Sequence, residues 1–324
     1  MVKERLLAVH DLKTYYYTRK GIMKAVDGVS LNIGKKEVVG LVGESGCGKT
    51  TVGLSIVRLI GPPGRVAGGV VSLKGENLLE LPEDEMRSIR GKEISMIFQD
   101  PMTYLNPLMR IKAQIAEVLL SHKRTRPDGD IGDIVVNALE MVSIPSPSRV
   151  AEYYPHQLSG GMRQRVMIAM ALSCHPSLVI ADEPTTALDV TTQNQILDIL
   201  KDAIKTFETS MLLITHDLGI VSEICDRVYV MYAGKIVEDA DVTTIFENPK
   251  HPYTKGLLDS VLSIDEFKST LVGIDGEVPS LGNLPTGCRF HPRCKQAMTI
   301  CSLEEPPPLE VDNSTVACWL FKER

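Results

Sequence analysis

Three groups of residues in this chain have the types and spacing to do chemistry. The first, Gly43-Glu44-Ser45-Gly46-Cys47-Gly48-Lys49-Thr50, fits the phosphate-loop pattern G-x-x-x-x-G-K-[ST]. Its glycines let the backbone wrap tightly, so that successive N–H groups face phosphate oxygens. Lys49 would place a point charge on β- and γ-phosphates, the Thr50 hydroxyl suits Mg²⁺, and Thr51 carries the loop into the next element. The second group closes the apolar run Leu178-Val179-Ile180-Ala181-Asp182-Glu183. Asp182 can hold the shell of a Mg²⁺ ion, and Glu183 can take the proton of an attacking water. The third is Cys288, Cys294, Cys301 and Cys318, separated by five, six and sixteen residues. That spacing lacks the tight knuckle of structural zinc sites, but an iron–sulfur core tolerates it. Cys47, Cys174 and Cys225 are scattered and read as incidental.

These groups need elements to position them. Glu37–Val42 reads as a buried parallel strand leading into the phosphate loop. Thr51–Ile60 reads as a helix stopped by Gly61-Pro62-Pro63-Gly64, whose N-terminal dipole would add to an anion site. From Leu6 to about Ile94 short apolar runs alternate with glycine turns, including Val26–Ile33 and Gly69–Gly75. Residues from about 100 to 154 look helical, with helical apolar spacing over Ile111–Leu120 and Ile134–Val142. Strand–helix alternation returns from about 176 to 240 and predicts a parallel sheet, hence an α/β fold. From about Asp241 the texture changes. His251-Pro252-Tyr253 opens a short helix, and proline, glycine and cysteine then dominate a tail with little core of its own, which would need a staple.

Composition limits the options. The chain has 324 residues, 44% hydrophobic and 23% charged, ordinary for a globular protein and enough for one large domain with an appendage. A formal net charge of −6 argues against a nucleic-acid partner. There is no apolar run of about 18 residues to span a bilayer. Met1-Val2-Lys3-Glu4-Arg5 has no signal-peptide features, so a cytoplasmic chain is expected, in which clustered cysteines suggest metal before disulfides.

Leu158-Ser159-Gly160-Gly161-Met162-Arg163-Gln164-Arg165 sharpens the reading. Ser159 is a good N-cap, and the two glycines bare the N-terminus of the following helix. Together with the phosphate loop, this string resembles the signature of ATP-binding cassette (ABC) ATPases. The resemblance implies a β-rich subdomain, a helical subdomain at about 100–165, and a head-to-tail dimer in which Ser159-Gly160-Gly161 of one copy closes the phosphate loop of the other. It also implies roles for residues that spacing alone would leave as surface groups. Gln99 would reach Mg²⁺ and water, His216 the γ-phosphate, and Tyr16, among Tyr15-Tyr16-Tyr17, would stack on adenine. Thr186-Ala187-Leu188-Asp189 resembles the loop linking the two sites of the dimer.

The tail narrows the family further. His251-Pro252-Tyr253-Thr254, Gly276-Glu277-Val278-Pro279-Ser280 and Gly287-Cys288-Arg289-Phe290-His291-Pro292-Arg293-Cys294 resemble the ATPase subunits of dipeptide and oligopeptide importers. That resemblance implies a cassette over 1–240, an importer-type extension over 241–324, and a [4Fe–4S] cluster on the four tail cysteines, with Zn²⁺ as the alternative. The implied partners are a second ABC ATPase subunit, two transmembrane permease subunits and an extracytoplasmic solute-binding protein, with the chain peripheral at the cytoplasmic face of the membrane. Nickel and some sugar importers share the tail, and a non-transport ABC ATPase is the remaining alternative. No nucleotide motif lies past His216, so the tail is expected to leave ATP hydrolysis alone.

Overall fold

The computed structural model describes residues 4–122, 131–186, 188–260 and 274–322. Two long strands, β1 (Arg5–Thr18) and β2 (Gly21–Gly34), come first. They are followed by β3 (Val38–Val42), α1 (Lys49–Ile56), β4 (Gly64–Leu73) and β5 (Glu76–Asn77). Next come α2 (Glu83–Ile89), β6 (Ile94–Ile97) and a helical stretch of α3 (Pro101–Tyr104), α4 (Ile111–Ser121), α5 (Ile131–Met141), α6 (Pro147–Val150) and α7 (Gly160–Leu172). Alternation returns with β7 (Leu178–Asp182), α8 (Val190–Phe207), β8 (Ser210–Thr215), α9 (Leu218–Ile224), β9 (Arg227–Tyr232) and β10 (Lys235–Asp241). The tail holds α10 (Val242–Glu247), α11 (Pro252–Asp259), α12 (Thr299–Leu303), β11 (Leu309–Val311) and β12 (Ser314–Val316). None of the described helices is long and apolar enough to cross a membrane.

Contacts divide the chain into two compact units. The first comprises Met1–Ile33, Val38–Leu79 and Leu213–Arg324; the second comprises Gly34–Glu37 and Glu80–Leu212. In the first unit, an antiparallel sheet runs in the order β2-β1-β4-β5, with Leu7 opposite Leu73 and Val9 opposite Val71. A second run of strands is ordered β11-β12-β10-β9-β3. Here β3 and β9 are parallel, with Val42 opposite Val230. Val39, Leu41 and Val42 are buried, which explains why β3 reads as an unbroken apolar run rather than an alternating one. The tail is built into this unit, because β12 pairs with β10, placing Glu238 opposite Val316.

In the second unit β6 and β7 are parallel, with Ile94 opposite Leu178 and Ile97 opposite Ala181. Helices α4 and α5 both pack on α7, burying Ile115, Leu119, Val135, Leu139, Val166 and Ile168. One boundary differs from the sequence reading: α1 stops at Ile56 and does not run to Ile60. Arg58 takes left-handed backbone at φ 53°, and the Leu59 N–H returns to the Leu54 carbonyl at 2.8 Å. This turn satisfies the last carbonyls and ends the helix before the Gly-Pro-Pro-Gly stretch is reached.

Candidate active site

The first unit carries the phosphate loop. Strand β3 delivers the chain into Gly43, and α1 begins at Lys49 with Gly48 as its N-cap, at φ 110° and with no side-chain cap. A Cβ on Gly48 would stand 2.1 Å from the Ala25 carbonyl oxygen, and one on Gly43 2.1 Å from that of Met231. Only glycine fits at these two points, because the loop is pressed against neighbouring backbone. Since Gly48 has no side chain, it offers the first turn of α1 no side-chain cap, and the positive end of the helix faces the loop. Lys49 is 5% exposed, and its ammonium donates to the carbonyls of Gly43 at 2.7 Å and Glu44 at 3.1 Å. A buried cation beside uncapped helix N–H groups suits a polyphosphate in both charge and donor chemistry. Ser45, Gly46 and Thr50 are exposed along the loop, and Thr51 is half-buried. Cys47 is fully buried, and burial pushes its thiol up; it packs the loop from within.

Two other expected residues lie in this unit. Tyr15 donates its hydroxyl to Asp27 at 2.5 Å, the Arg65 guanidinium covers the Tyr17 ring at 4.2 Å, and Tyr16 lies against Gly64. The neighbours of Tyr16 in sequence are thus engaged elsewhere. His216 is exposed, between the end of β8 and Asp217, which caps α9.

The second unit carries the acidic strand end. Asp182 closes β7 and is buried, while Glu183 is half-buried in left-handed backbone at φ 45°. Such backbone costs a non-glycine residue about 1 kcal/mol and is often found at functional sites; nothing in the sequence signalled it. One carboxylate oxygen of Glu183 accepts from the Gln99 amide at 3.0 Å and from the Thr186 hydroxyl at 2.9 Å. Gln99 and Glu183, 84 residues apart, are therefore brought together. Ser159 caps α7 by accepting from the Met162 N–H at 3.3 Å, and Ser159 and Gly160 are exposed. Gly161 is half-buried against Thr192, and two further residues of the string have structural partners. Gln164 is buried and donates to the Pro184 carbonyl at 2.7 Å, tying α7 to the turn after Glu183. Arg165 donates to the carbonyls of Val142 and Ser143 and to Gln195. In the expected linking loop, Thr186 is the partner of Glu183 and Asp189 caps α8; Ala187 lies outside the described residues.

In the tail, all four cysteines are free, with Cys301 and Cys318 buried. The Cys288 N–H donates to the Cys301 carbonyl at 2.8 Å. Burial raises the thiols of Cys288, Cys294 and Cys318, the last to about 11, and the neighbouring cysteines add to the effect. Yet among the described residues no three His, Cys, Asp or Glu side chains form a group that could hold a metal. The four thiols thus share one segment without standing as a ligand cage among the described residues. A different link, missed by sequence reasoning, is explicit. Arg293 is 5% exposed and pairs both its terminal nitrogens with Glu44, at 2.8 and 3.0 Å. The Tyr253 hydroxyl accepts from the Glu44 N–H at 2.9 Å. Arg289 pairs with Asp27 and donates to the Ala233 carbonyl. Arg293 and Tyr253 lie more than 200 residues from Glu44, and Arg289 as far from Asp27, so no local signal could have revealed these pairings.

Comparison with known proteins agrees with this geometry. Residues 26–186 match the family model described as ABC transporter, and residues 237–301 match that described as oligopeptide/dipeptide transporter, C-terminal region. The oligopeptide transport ATP-binding protein AppD of Bacillus subtilis (strain 168) is 50% identical over 98% of this chain and 97% of its own length. The dipeptide transport ATP-binding protein DppD of the same strain is 47% identical over 99% and 96%. A solved dimeric ATP-binding cassette in a post-hydrolysis state, bound to ADP and Pi, superposes with a TM-score of 0.66 at 28% identity, over 73% of this chain and 99% of that one. CbiO1 from Clostridium perfringens, part of an ABC transporter complex, gives a TM-score of 0.64 at 25% identity, over 76% and 92%. Phosphate loop, signature helix and tail are all matched over nearly the full length, and the chain belongs to the ATP-binding proteins of oligopeptide/dipeptide ABC transporters.

Proposed function

We propose that this chain is the ATP-hydrolysing subunit of a membrane importer of di- and oligopeptides. It works as a cassette over 1–240 with an importer-type extension over 241–324. In this reading the loop from Gly43 to Thr51 and the Lys49 ammonium hold the phosphates, the Glu44 N–H being given to Tyr253, and Tyr16 stacks on adenine. Mg²⁺ would be held by Thr50, Gln99 and Asp182 and would supply counter-charge to the β- and γ-phosphates. Glu183 takes a proton from the water that attacks the γ-phosphorus, with Gln99 orienting its carboxylate, His216 contacting the γ-phosphate, and ADP leaving. Ser159, Gly160 and Gly161 of a second ATP-binding subunit close the site, and hydrolysis reopens the pair.

The partners are that second subunit, two membrane subunits and a solute-binding protein, which places the chain at the cytoplasmic face of a membrane. Met102, Tyr104 and Leu108 are 61%, 51% and 85% exposed, an apolar group in the helical stretch suited to docking the loops of the membrane subunits. The four tail cysteines are proposed as ligands of a [4Fe–4S] cluster, or of Zn²⁺ as the alternative, on the resemblance of the tail alone; among the described residues their side chains are not gathered as a metal site. Iron, sulfide and zinc analysis of anaerobically purified protein tests this, and metal-free protein with an ordered tail removes both.

One observation carries the peptide assignment: similarity to peptide transport ATP-binding proteins extends through the tail, beyond the part all cassettes share. The test is to co-purify the chain with the membrane subunits encoded beside it and to measure ATP hydrolysis in vesicles with the solute-binding protein. Stimulation by di- or oligopeptides is expected. Stimulation by nickel or a sugar instead would change the cargo, and absence of any membrane partner would favour a non-transport ATPase.

A further inference from the structure

The importer-type tail has no part in the nucleotide motifs, yet its polar side chains converge on one residue of the phosphate loop. Glu44 is gripped twice. Its carboxylate receives both terminal nitrogens of Arg293, and its backbone N–H is taken by the Tyr253 hydroxyl. Tyr253 is fully buried, in ring contact with Tyr232 and with Phe290, which itself packs on Tyr232. Arg293 is held in turn, donating to the carbonyls of Ile274 at 3.2 Å and Asp275 at 3.0 Å. The carbonyl of Glu44, on the same residue, accepts from Lys49. One loop residue thus links the phosphate-binding lysine to the tail. A paired guanidinium–carboxylate contact is directional and strong, and a nearly buried one is poorly screened by salt. Arg293 is fixed also by the Ile274 and Asp275 carbonyls, and Tyr253 by its ring contacts, so both act on the loop from outside it.

We propose that the carboxyl-terminal tail is a positioning element for the phosphate loop. Arg293, acting through Glu44, holds the loop and Lys49 in the shape that receives ATP, so nucleotide affinity depends on an intact tail. The inference rests on the nucleotide-site reading above. Arg293 is a positioning residue and touches no reacting atom. The tail therefore bears on ATP use although it contains none of the residues that contact ATP in this reading.

The test uses the full chain, titrated with ATP and Mg²⁺ by calorimetry, as wild type, Arg293→Gln, Glu44→Gln and the double variant, with turnover at saturating ATP measured in parallel. Arg293→Gln and Glu44→Gln should each raise the ATP Kd about tenfold, the scale of a lost charged hydrogen-bond pair. The double variant should be no worse than the weaker single, because both remove one link. For Arg293→Gln, which lies outside the loop, turnover at saturating ATP should stay close to wild type, since the loss is in binding. Arg293→Lys keeps the charge but loses the fork, and should fall between wild type and Arg293→Gln; it serves in place of the Gln variant if that one fails to fold. A purely stabilising role would lower the melting temperature and leave the Kd alone, and that result would overturn the inference. Additive losses in the double variant would also overturn it, by separating Arg293 from Glu44. A wild-type chain that binds no ATP would remove the nucleotide reading itself, and this inference with it.

Discussion

The two compact units carry the expected site residues in different ways. In the first, the phosphate loop is set by backbone. Two glycines lie where a Cβ would strike a carbonyl at 2.1 Å, and a lysine is buried to 5% exposure. In the second, Gln99 is exposed and Glu183 half-buried, with one carboxylate oxygen held by two side-chain hydrogen bonds. The contrast suggests a division of labour. In the proposed function, the loop that would grip a polyanion is preorganised by steric fit before any ligand arrives. The group that would move a proton sits on side-chain hydrogen bonds, which can exchange as charge develops. Substitutions at Lys49 in the phosphate loop should therefore fail in binding, and substitution of Glu183 should fail in turnover with binding intact.

The sharpest way to break that division is Glu183→Gln. ATP turnover should fall about a thousandfold, the usual scale for loss of a general base, while the ATP Kd stays within about twofold. Phosphate release and calorimetry measure the two, and near-wild-type turnover would remove Glu183 from the role. In the other unit, Lys49→Ala should weaken ATP binding about a hundredfold, because charge-assisted bonds to the phosphates are lost. Unchanged affinity would mean the loop does not hold phosphate.

Acid should loosen the first unit through His251. Burial lowers its pKa to about 3, and its Nδ1 accepts the Tyr253 N–H at 3.0 Å. The unfolded chain protonates near pH 6.5 and the folded one does not. The resulting stability is whole above about pH 6.5 and is lost as pH falls towards 3, by about 2 kcal/mol between pH 7 and 5. Melting curves across that range should show the slope, and His251→Gln should flatten it; equal slopes would place the titration elsewhere. Smaller again, Gln99→Ala should cut turnover about tenfold, the low end for loss of a hydrogen bond to a carboxylate, and leave the ATP Kd nearly unchanged. A loss of affinity instead would blur the division. Least of all, Ser159→Ala should cost about 0.5 kcal/mol in thermal unfolding of the isolated chain, since the cap bond is long and exposed, with no change in single-chain ATP binding.

What could be read in the sequence was whatever depends on neighbouring residues. Gly43 to Thr50, the apolar run ending in Asp182 and Glu183, the Ser159 cap and the His251-Pro252-Tyr253 helix start are each contained in a few consecutive positions, where steric freedom, helix capping and strand burial act locally. The end of α1 was misjudged because a left-handed turn at Arg58 has no fixed residue signal, while the Gly-Pro-Pro-Gly stretch offered a false one. Gln164 looked like part of a nucleotide signature and proved to be a buried tie to Pro184, because the same amide can serve water, ligand or backbone and only its surroundings choose.

The phosphate loop, the acidic pair and the family were thus determined by the sequence alone. Only the tertiary structure decided that Gln99 meets Glu183, that Glu183 stands in left-handed backbone, and that Arg293 and Tyr253 reach back more than 200 residues to Glu44. These are pairings of polar groups across long chain separations. They are set by where buried strands and helices pack, and the sequence around either partner carries no mark of the other.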